Sequence, residues 1–162
     1  MSHWMGQSDS QGWFGSEDKL STAVLTVLED CYVRESQHAM RYRQHAERIH
    51  QPEFRQALLN ISAQEQKHAD SVGAQIQNLG GQIPEVIPVH VAKEENFWQY
   101  LRTDLDEEER CAEELRDDLI LVLGRSPEIA CLLKQINGDC RNHWLRIRAM
   151  LADADPLSPG PP

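Results

Sequence analysis

The chain has 162 residues, of which 26% are charged, and a formal net charge of −10. This length is sufficient for one domain with a substantial core. The negative charge argues against a nucleic-acid groove or contact with an anionic membrane surface, because both need clustered Lys and Arg. The longest apolar run, residues 119–123 (LILVL), is far shorter than the roughly 20 residues of a membrane span.

The N-terminal residues contain no basic segment followed by an apolar one, so no secretory signal is expected. The four cysteines form no CxxC pair, which excludes a zinc ribbon or a rubredoxin-type knuckle built from this chain alone. A disulfide framework is not expected in a chain of this size without a signal. These features predict a cytoplasmic protein.

Apolar residues recur at steps of three and four, which is the periodicity of helices. The first predicted helix begins after Ser16, a good N-cap, and runs to about His50. The second begins near Pro52, which suits a first helical turn, and ends at Leu79, where two glycines stop it.

The third predicted helix runs from about Ala92 to Leu123 and ends at Gly124. The fourth begins with the capping sequence Ser-Pro-Glu at 126–128 and runs to about Ala154. The flanking segments 1–15 and 155–162 are predicted to be flexible, which leaves one helical domain at 16–154.

The lengths of the connections predict the topology. Tight turns join the first helix to the second and the third to the fourth, so each pair is predicted to be an antiparallel hairpin. Residues 80–91 form a longer link that contains two prolines. Two hairpins with one long crossover between helices 2 and 3 are typical of an all-α, ferritin-like four-helix bundle.

Each predicted helix has an apolar stripe that polar residues interrupt at a similar depth. The interruptions are Glu35 and His38 on helix 1, Glu65 and His68 on helix 2, Glu108 on helix 3, and Cys140 and His143 on helix 4. Buried carboxylates at one level repel one another unless a cation lies between them. Carboxylate oxygen and imidazole nitrogen together are ligands of iron or manganese, so the pattern predicts a metal site.

Two segments resemble the rubrerythrins, a family of di-iron carboxylate proteins. RESQHAMRY (34–42) is similar to their first-helix motif, in which a ligand glutamate precedes Ser-Gln and a tyrosine follows seven residues later. AQEQKHAD (63–70) is similar to their second-helix Glu-x-x-His-Ala motif. The resemblance covers about residues 18–152, the bundle without a rubredoxin domain.

The resemblance implies a site with two irons per chain and a set of matching ligands. These ligands are Glu35, Glu65, His68, Glu108 and His143, and Tyr42 matches a tyrosine that hydrogen-bonds a ligand carboxylate. It also implies peroxide reduction or other chemistry of iron and oxygen, an external electron donor and a homodimer.

The sequence departs from the rubrerythrin pattern at two cysteines. Cys140 stands where helix 4 would carry a second ligand glutamate, and Cys111 stands where helix 3 would carry another. Cys140 is interpreted as an apolar filler, a thiolate ligand or the cap of a one-metal site. With Cys111 it is also a candidate for a redox or soft-metal role.

Two further residues have alternative interpretations. Asp139 is either a substitute carboxylate or a solvated residue, and His38 is a ligand, a neighbour of the ligands or a bundle-edge histidine.

Three functional hypotheses follow. The first is a di-iron protein that oxidises Fe(II) or reduces peroxide as a ferroxidase or peroxidase. The second is a non-enzymatic or single-metal protein with a degenerate site for iron, zinc or manganese, acting in metal binding or protein interaction. The third is a structural bundle in which the buried Glu and His residues pair among themselves.

Overall fold

A computed structural model describes residues 11–93 and 96–154 of the chain, with side chains from residue 22 onward. The described residues form four α-helices and no strand: α1 (Gln11–Arg48), α2 (Pro52–Asn78), α3 (Phe97–Val122) and α4 (Pro127–Asp153). The predicted all-α bundle of two hairpins joined by a long crossover is confirmed. None of the helices in this described part is long and apolar enough to cross a membrane.

Two predicted helix starts differ from the structure. Helix α1 already begins at Gln11, so Ser16 lies inside the helix instead of capping it. Helix α3 begins at Phe97, later than the predicted Ala92, because Asn96 caps it. The Asn96 side chain accepts a hydrogen bond from the Gln99 backbone N–H at 3.1 Å, and the Gln99 side chain accepts one from the Asn96 N–H at 3.3 Å. This capping box satisfies two N–H groups that the helix end leaves free.

Proline begins and glycine follows the helices at the positions that the sequence predicts. Pro52 and Pro127 each stand at the start of a helix, where a missing N–H costs no intrahelical bond. Gly80 and Gly124 follow the ends of α2 and α3 with φ of 77° and 76°, a left-handed conformation that glycine adopts without strain. Of the two terminal segments predicted to be flexible, residues 1–10 and 155–162 lie outside the described residues.

The crossover between α2 and α3 is held against α1 by side chains of that helix. Gln44 Nε2 donates to the Val89 carbonyl at 2.9 Å, and Arg48 donates to the carbonyls of Val91 and Ala92 at 3.1 and 2.8 Å. These bonds satisfy backbone groups of a segment without regular structure, and they bring the chain to the point where α3 starts.

The core consists of two apolar clusters with a polar layer between them. One cluster includes Leu28, Ile76, Leu115 and Leu133, and the other includes Leu58, Leu101 and Ile147, all of them fully buried or nearly so. Burial of each such side chain contributes about 1.5–3 kcal/mol. The two clusters therefore hold the helices together on both sides of the layer. The polar residues of the layer do not need to stabilise the fold themselves.

Candidate metal centre

The five main predicted ligands meet in the polar layer at the middle of the bundle. Glu35 and Glu65 have an exposed fraction of 0%, Glu108 of 1%, His143 of 4% and His68 of 5%. Charged side chains without contact to water need partners or a bound cation. The contacts within the layer therefore show which of these buried groups already have a partner.

Glu65 lies at the centre of the layer and joins the two hairpins. Its Oε1 is 2.8 Å from Nδ1 of His143 on α4, and its Oε2 is 3.1 Å from Nδ1 of His68 on the same helix. The same His68 nitrogen is 3.2 Å from Glu35 Oε2 on α1. The Glu-x-x-His of α2 thus contacts both neighbouring helices through one carboxylate and one imidazole.

Glu108 enters the layer from α3 with one oxygen bonded and the other free. The Tyr42 hydroxyl donates a short hydrogen bond to Glu108 Oε1, and His143 Nδ1 lies 3.6 Å from the same oxygen. The other oxygen, Oε2, is buried and has no hydrogen-bond partner. A buried carboxylate oxygen of this kind is costly for the protein unless a cation binds it.

The ligand atoms form two adjoining groups that share Glu65. One consists of Glu35, Glu65 and His68, and the other of His38, Glu65 and Glu108; in each group the candidate ligand atoms lie within 4.8 Å of one another. His38 Nδ1 is buried without a hydrogen-bond partner, like Glu108 Oε2. The two groups, which share one carboxylate, are two adjoining candidate sites for a cation, and the second also contains the two atoms without a hydrogen-bond partner.

The outer nitrogens of the two main histidines are held by polar side chains. Asp139 Oδ2 lies 3.0 Å from His68 Nε2, and Gln64 Oε1 lies 3.2 Å from His143 Nε2. Such contacts fix the orientation of a ligand imidazole and strengthen it as a ligand. The Asp139 side chain is partly exposed and contacts the outer nitrogen of His68, and its role as a substitute carboxylate ligand stays a prediction.

The two cysteines of the layer lie in contact with each other. Cys111 Sγ is 3.5 Å from Cys140 Sγ, and it donates to Glu35 Oε1 at 3.7 Å. The hydrogen bond between the sulfurs is the main reason why the pKa of Cys111 falls to about 5 and that of Cys140 rises. One proton is therefore lost from the pair easily, and the second stays shared between the two sulfurs.

The buried acids and bases of the layer compensate one another's charge. Burial lowers the pKa of both main histidines, but contacts with Glu35 and Glu65 raise that of His68 to about 10, and contacts with Glu108 and Glu65 raise that of His143 to about 9. Burial raises the pKa of Glu35 and Glu108. For Glu65 the effect of burial is outweighed by hydrogen bonds from the two histidines, which lower its pKa. A metal ion that binds here must therefore displace protons.

A second buried pair lies one helical turn from Glu108 on α3 and two turns from His38 on α1, and it was not among the predicted site residues. His45 Nδ1 of α1 is 2.8 Å from Asp104 Oδ1 of α3, and both side chains have almost no contact with solvent. The available signal was spacing, since Asp104 lies four residues before Glu108 and His45 seven residues after His38, on the same helix faces.

Arg34 is another polar residue that the sequence analysis did not single out. Its guanidinium donates to Glu114 and Asp118 of α3 at 3.1 and 3.0 Å, and its Nε lies 3.8 Å from Glu35 Oε1. It therefore ties α1 to α3 beside the layer.

Two surface grooves border the layer, one between α4 and α3 and one between α4 and α2. One, of about 550 Å³, lies between α3 and α4 and is lined in part by Glu108, Cys140 and Trp144. The other, of about 540 Å³, lies between α2 and α4 and is lined in part by His68 and Asp139. Both grooves therefore bring solvent close to the buried centre.

Comparison with solved structures assigns the fold. A bacterioferritin of Desulfovibrio desulfuricans, described by its diiron site in different catalytic states, matches with a TM-score of 0.76 and 19% identity over 83% of this chain and 81% of that one. Ferritin-like, diiron-carboxylate proteins from Bacillus anthracis match with a TM-score of 0.70 and 19% identity over 82% of this chain and 97% of the other. A protein from Xanthomonas campestris matches with a TM-score of 0.74 and 15% identity, covering 83% and 92%.

The chain is a ferritin-like four-helix bundle with a buried cluster of carboxylates and imidazoles at its middle. No protein-family model matches the sequence, and no curated protein matches it at significant similarity. At identities of 15–19%, these solved structures show the fold of the chain and not the chemistry of its buried cluster.

Proposed function

We propose that this chain is a ferritin-like di-iron protein that oxidises Fe(II) or reduces peroxide at the buried cluster. The observation that carries the proposal is the position of Glu65, a buried carboxylate common to two adjoining ligand groups. The names of similar structures give support, because the proteins from D. desulfuricans and B. anthracis are described by a diiron site and as diiron-carboxylate proteins.

In this proposal five residues would be the main ligands, and Glu65 belongs to both candidate ligand groups. The ligands are Glu35, Glu65, His68, Glu108 and His143, and the contact geometry adds His38. Bound iron would supply the electrons that reduce oxygen or peroxide. The protein contributes the rest: Tyr42 holds one oxygen of Glu108 through a hydrogen bond, and Asp139 holds the outer nitrogen of His68.

Oxidation of Fe(II) is the reaction that we favour over rubrerythrin-type peroxide reduction. The similar structures include bacterioferritins, and the D. desulfuricans one is described in a form reduced and then reoxidised. The helix-4 carboxylate of the rubrerythrin pattern is replaced here by Cys140. A homodimer, a cytoplasmic location and, for peroxide reduction, an external electron donor belong to the same proposal.

The test is anaerobic titration of the metal-free protein with Fe(II), followed by mixing with oxygen in a stopped-flow spectrometer. We expect saturation near two irons per chain, and a Glu65→Gln variant that has lost most of this binding while keeping its helix content. Glu113→Gln is a matched control, because the Glu113 side chain on α3 is 72% exposed. No Fe(II) binding by the unmodified protein would overturn the proposal.

A second candidate is a protein that holds a single metal without turnover. It is favoured by Cys140, which places sulfur at the position of an expected second helix-4 ligand. Element analysis of protein purified without added metal would then find one zinc, manganese or iron ion per chain. Rapid oxidation of Fe(II) at two equivalents would exclude this candidate.

A further inference from the structure

Cys111 and Cys140 form the one pair of neighbouring thiols among the described residues. Their sulfurs are 3.5 Å apart on two neighbouring helices, and both residues have an exposed fraction of 0%. A disulfide has an S–S distance of about 2.05 Å, so the two sulfurs would have to approach by only ~1.5 Å. Small rotations of two short side chains cover such a distance.

Only one member of this pair borders the groove between α3 and α4. Cys140 lines the groove, whereas Cys111 does not. Small residues, Ala112 and Gly138, also line it, and a Cβ added at Gly138 would meet no atom within 4 Å. A hydroperoxide that enters the bundle from this groove therefore meets Cys140 before Cys111.

We propose that Cys140 and Cys111 are a dithiol centre that reduces hydroperoxides by forming a disulfide between α3 and α4. Cys140 is the sulfur that attacks the peroxide, because the groove reaches it, and Cys111 is the sulfur that resolves the product. The centre needs no bound metal, so it stands or fails independently of the proposed iron site.

The reaction is balanced in two steps. The proton that the two sulfurs share moves from Cys140 to Cys111, and the Cys140 thiolate then attacks one peroxide oxygen. The O–O bond breaks, the Cys140 sulfenic acid forms, and the leaving oxygen takes a proton from solvent to become water or an alcohol. Cys111 then loses its proton and attacks the Cys140 sulfur, which forms the S–S bond and releases the hydroxyl as water. Two thiols are oxidised by two electrons in all, and one hydroperoxide is reduced.

The other two cysteines serve as internal controls. Cys31 is as deeply buried as the pair, and Cys131 lies on the exposed face of α4. Because an exposed thiol can react between molecules, Cys131→Ser is the appropriate parent protein. Three of the four thiols of the chain remain in it.

The experiment exposes the reduced parent protein, stripped of metal with a chelator, to an equimolar amount of hydrogen peroxide. We expect two of the three thiols to be lost, an intact mass lower by about 2 Da, as the loss of two hydrogens requires, and a cross-linked peptide containing Cys111 and Cys140. With Cys111→Ala the reaction should stop at a Cys140 sulfenic acid that dimedone traps, and with Cys140→Ala both remaining thiols should survive.

Three results would overturn the proposal: three intact thiols after treatment of the folded parent protein, oxidation confined to Cys31, or a Cys140 sulfinic acid without a cross-link. Because the parent protein itself carries the assay, poor folding of either alanine variant does not affect this conclusion. Iron titration of the same parent protein reports on the metal site separately.

Discussion

The imidazole of His143 on α4 and the carboxylate of Glu65 on α2 meet at 2.8 Å inside the bundle. The contact joins the two hairpins at a depth where both side chains are almost fully buried. It also makes Glu65 the common partner of both main histidines, since His68 approaches its other oxygen at 3.1 Å. Protons and metal ions therefore compete for the same few atoms.

The metal-free protein should lose stability as the pH rises from about 6.5 to 10. In the folded state the pKa of His68 is about 10 and that of His143 about 9, above the ordinary value of 6.5. A raised pKa means that the folded state binds the proton more tightly than the unfolded state does. The stabilisation is complete below about 6.5 and is lost as the pH rises through 9 and 10.

Urea unfolding of chelator-treated protein at a series of pH values measures this effect. We expect a fall of more than about 1 kcal/mol in the free energy of unfolding across that interval. A His143→Gln variant should show a shallower fall, because the amide has no proton to lose. A free energy of unfolding independent of pH, in both proteins, would contradict the raised pKa values.

Metal affinity should change with pH in the opposite direction. A metal ion needs the unprotonated imidazoles of His68 and His143, so binding releases the protons that these residues hold near neutral pH. Calorimetric titration with Mn(II) in buffers of different ionisation enthalpy would count the released protons. We expect tighter binding at pH 8 than at pH 6, and a proton count of zero would refute the assignment of these histidines as ligands.

The fold followed from the sequence because its helices bury stripes with a helical period. Every residue of the α4 stripe from Ile129 to Met150 is buried, including Cys140 and His143. The start of α3 was placed too early, because the apolar residues before it continue the pattern although a capping box at Asn96 ends the extended link. Local hydrogen bonding decided that boundary, and periodicity does not report it.

The sequence placed the members of the polar layer better than it placed their contacts. Residue spacing indicates which face a side chain occupies, and it brought Glu35, Glu65 and Glu108 to one depth. It gives no rotamers, so the contact of Asp139 with the outer nitrogen of His68 was not foreseen. It also gives no pairing between helices, so the Asp104 carboxylate was overlooked, although it shares a face with Glu108.

Substitution of one partner of the buried pair of His45 and Asp104 should destabilise the protein strongly. Substitution of both partners should destabilise it by less than the two single changes added together. Asp104→Ala leaves the imidazole without its carboxylate, and loss of one partner of a buried pair typically costs about 3–5 kcal/mol. In the double variant with His45→Ala, the loss should be smaller than the sum of the two single losses, because each single change leaves an unpaired group.

Chemical denaturation of the four proteins in this cycle gives the coupling energy. Asp106→Ala is the matched control, since Asp106 lies on the same helix, forms an ion pair with Arg102 and is 53% exposed. Its loss should be under about 1 kcal/mol. Additive losses at His45 and Asp104 would show that the two side chains do not stabilise each other.

Tyr42→Phe should weaken both the fold and the metal site. The change removes the hydroxyl that donates to Glu108 Oε1, which leaves a buried carboxylate with both oxygens poorly satisfied. A hydrogen bond to a charged group contributes roughly 1.5–3 kcal/mol, and loss of a residue that supports a ligand typically weakens metal binding about 10–100-fold. Urea unfolding and Fe(II) titration measure the two effects. Tyr32→Phe is the control, because Tyr32 is a half-buried tyrosine of the same helix. Unchanged affinity in Tyr42→Phe would exclude Glu108 from the ligand set.

A bound metal should stabilise the bundle, and this prediction separates a metal centre from a purely structural polar layer. A ligand that binds only the folded state raises the free energy of unfolding by about 2.7 kcal/mol when its concentration is 100 times its Kd. In the structural alternative, the Glu and His residues already compensate one another, and an added ion finds no better position.

We expect the Tm of chelator-treated protein to rise with added Mn(II) and, without oxygen, with Fe(II). Glu65→Gln should show no rise, because it replaces the carboxylate common to both ligand groups. A rise of equal size in Glu65→Gln would place the stabilising ion elsewhere on this acidic chain, and no rise in either protein would favour the structural layer.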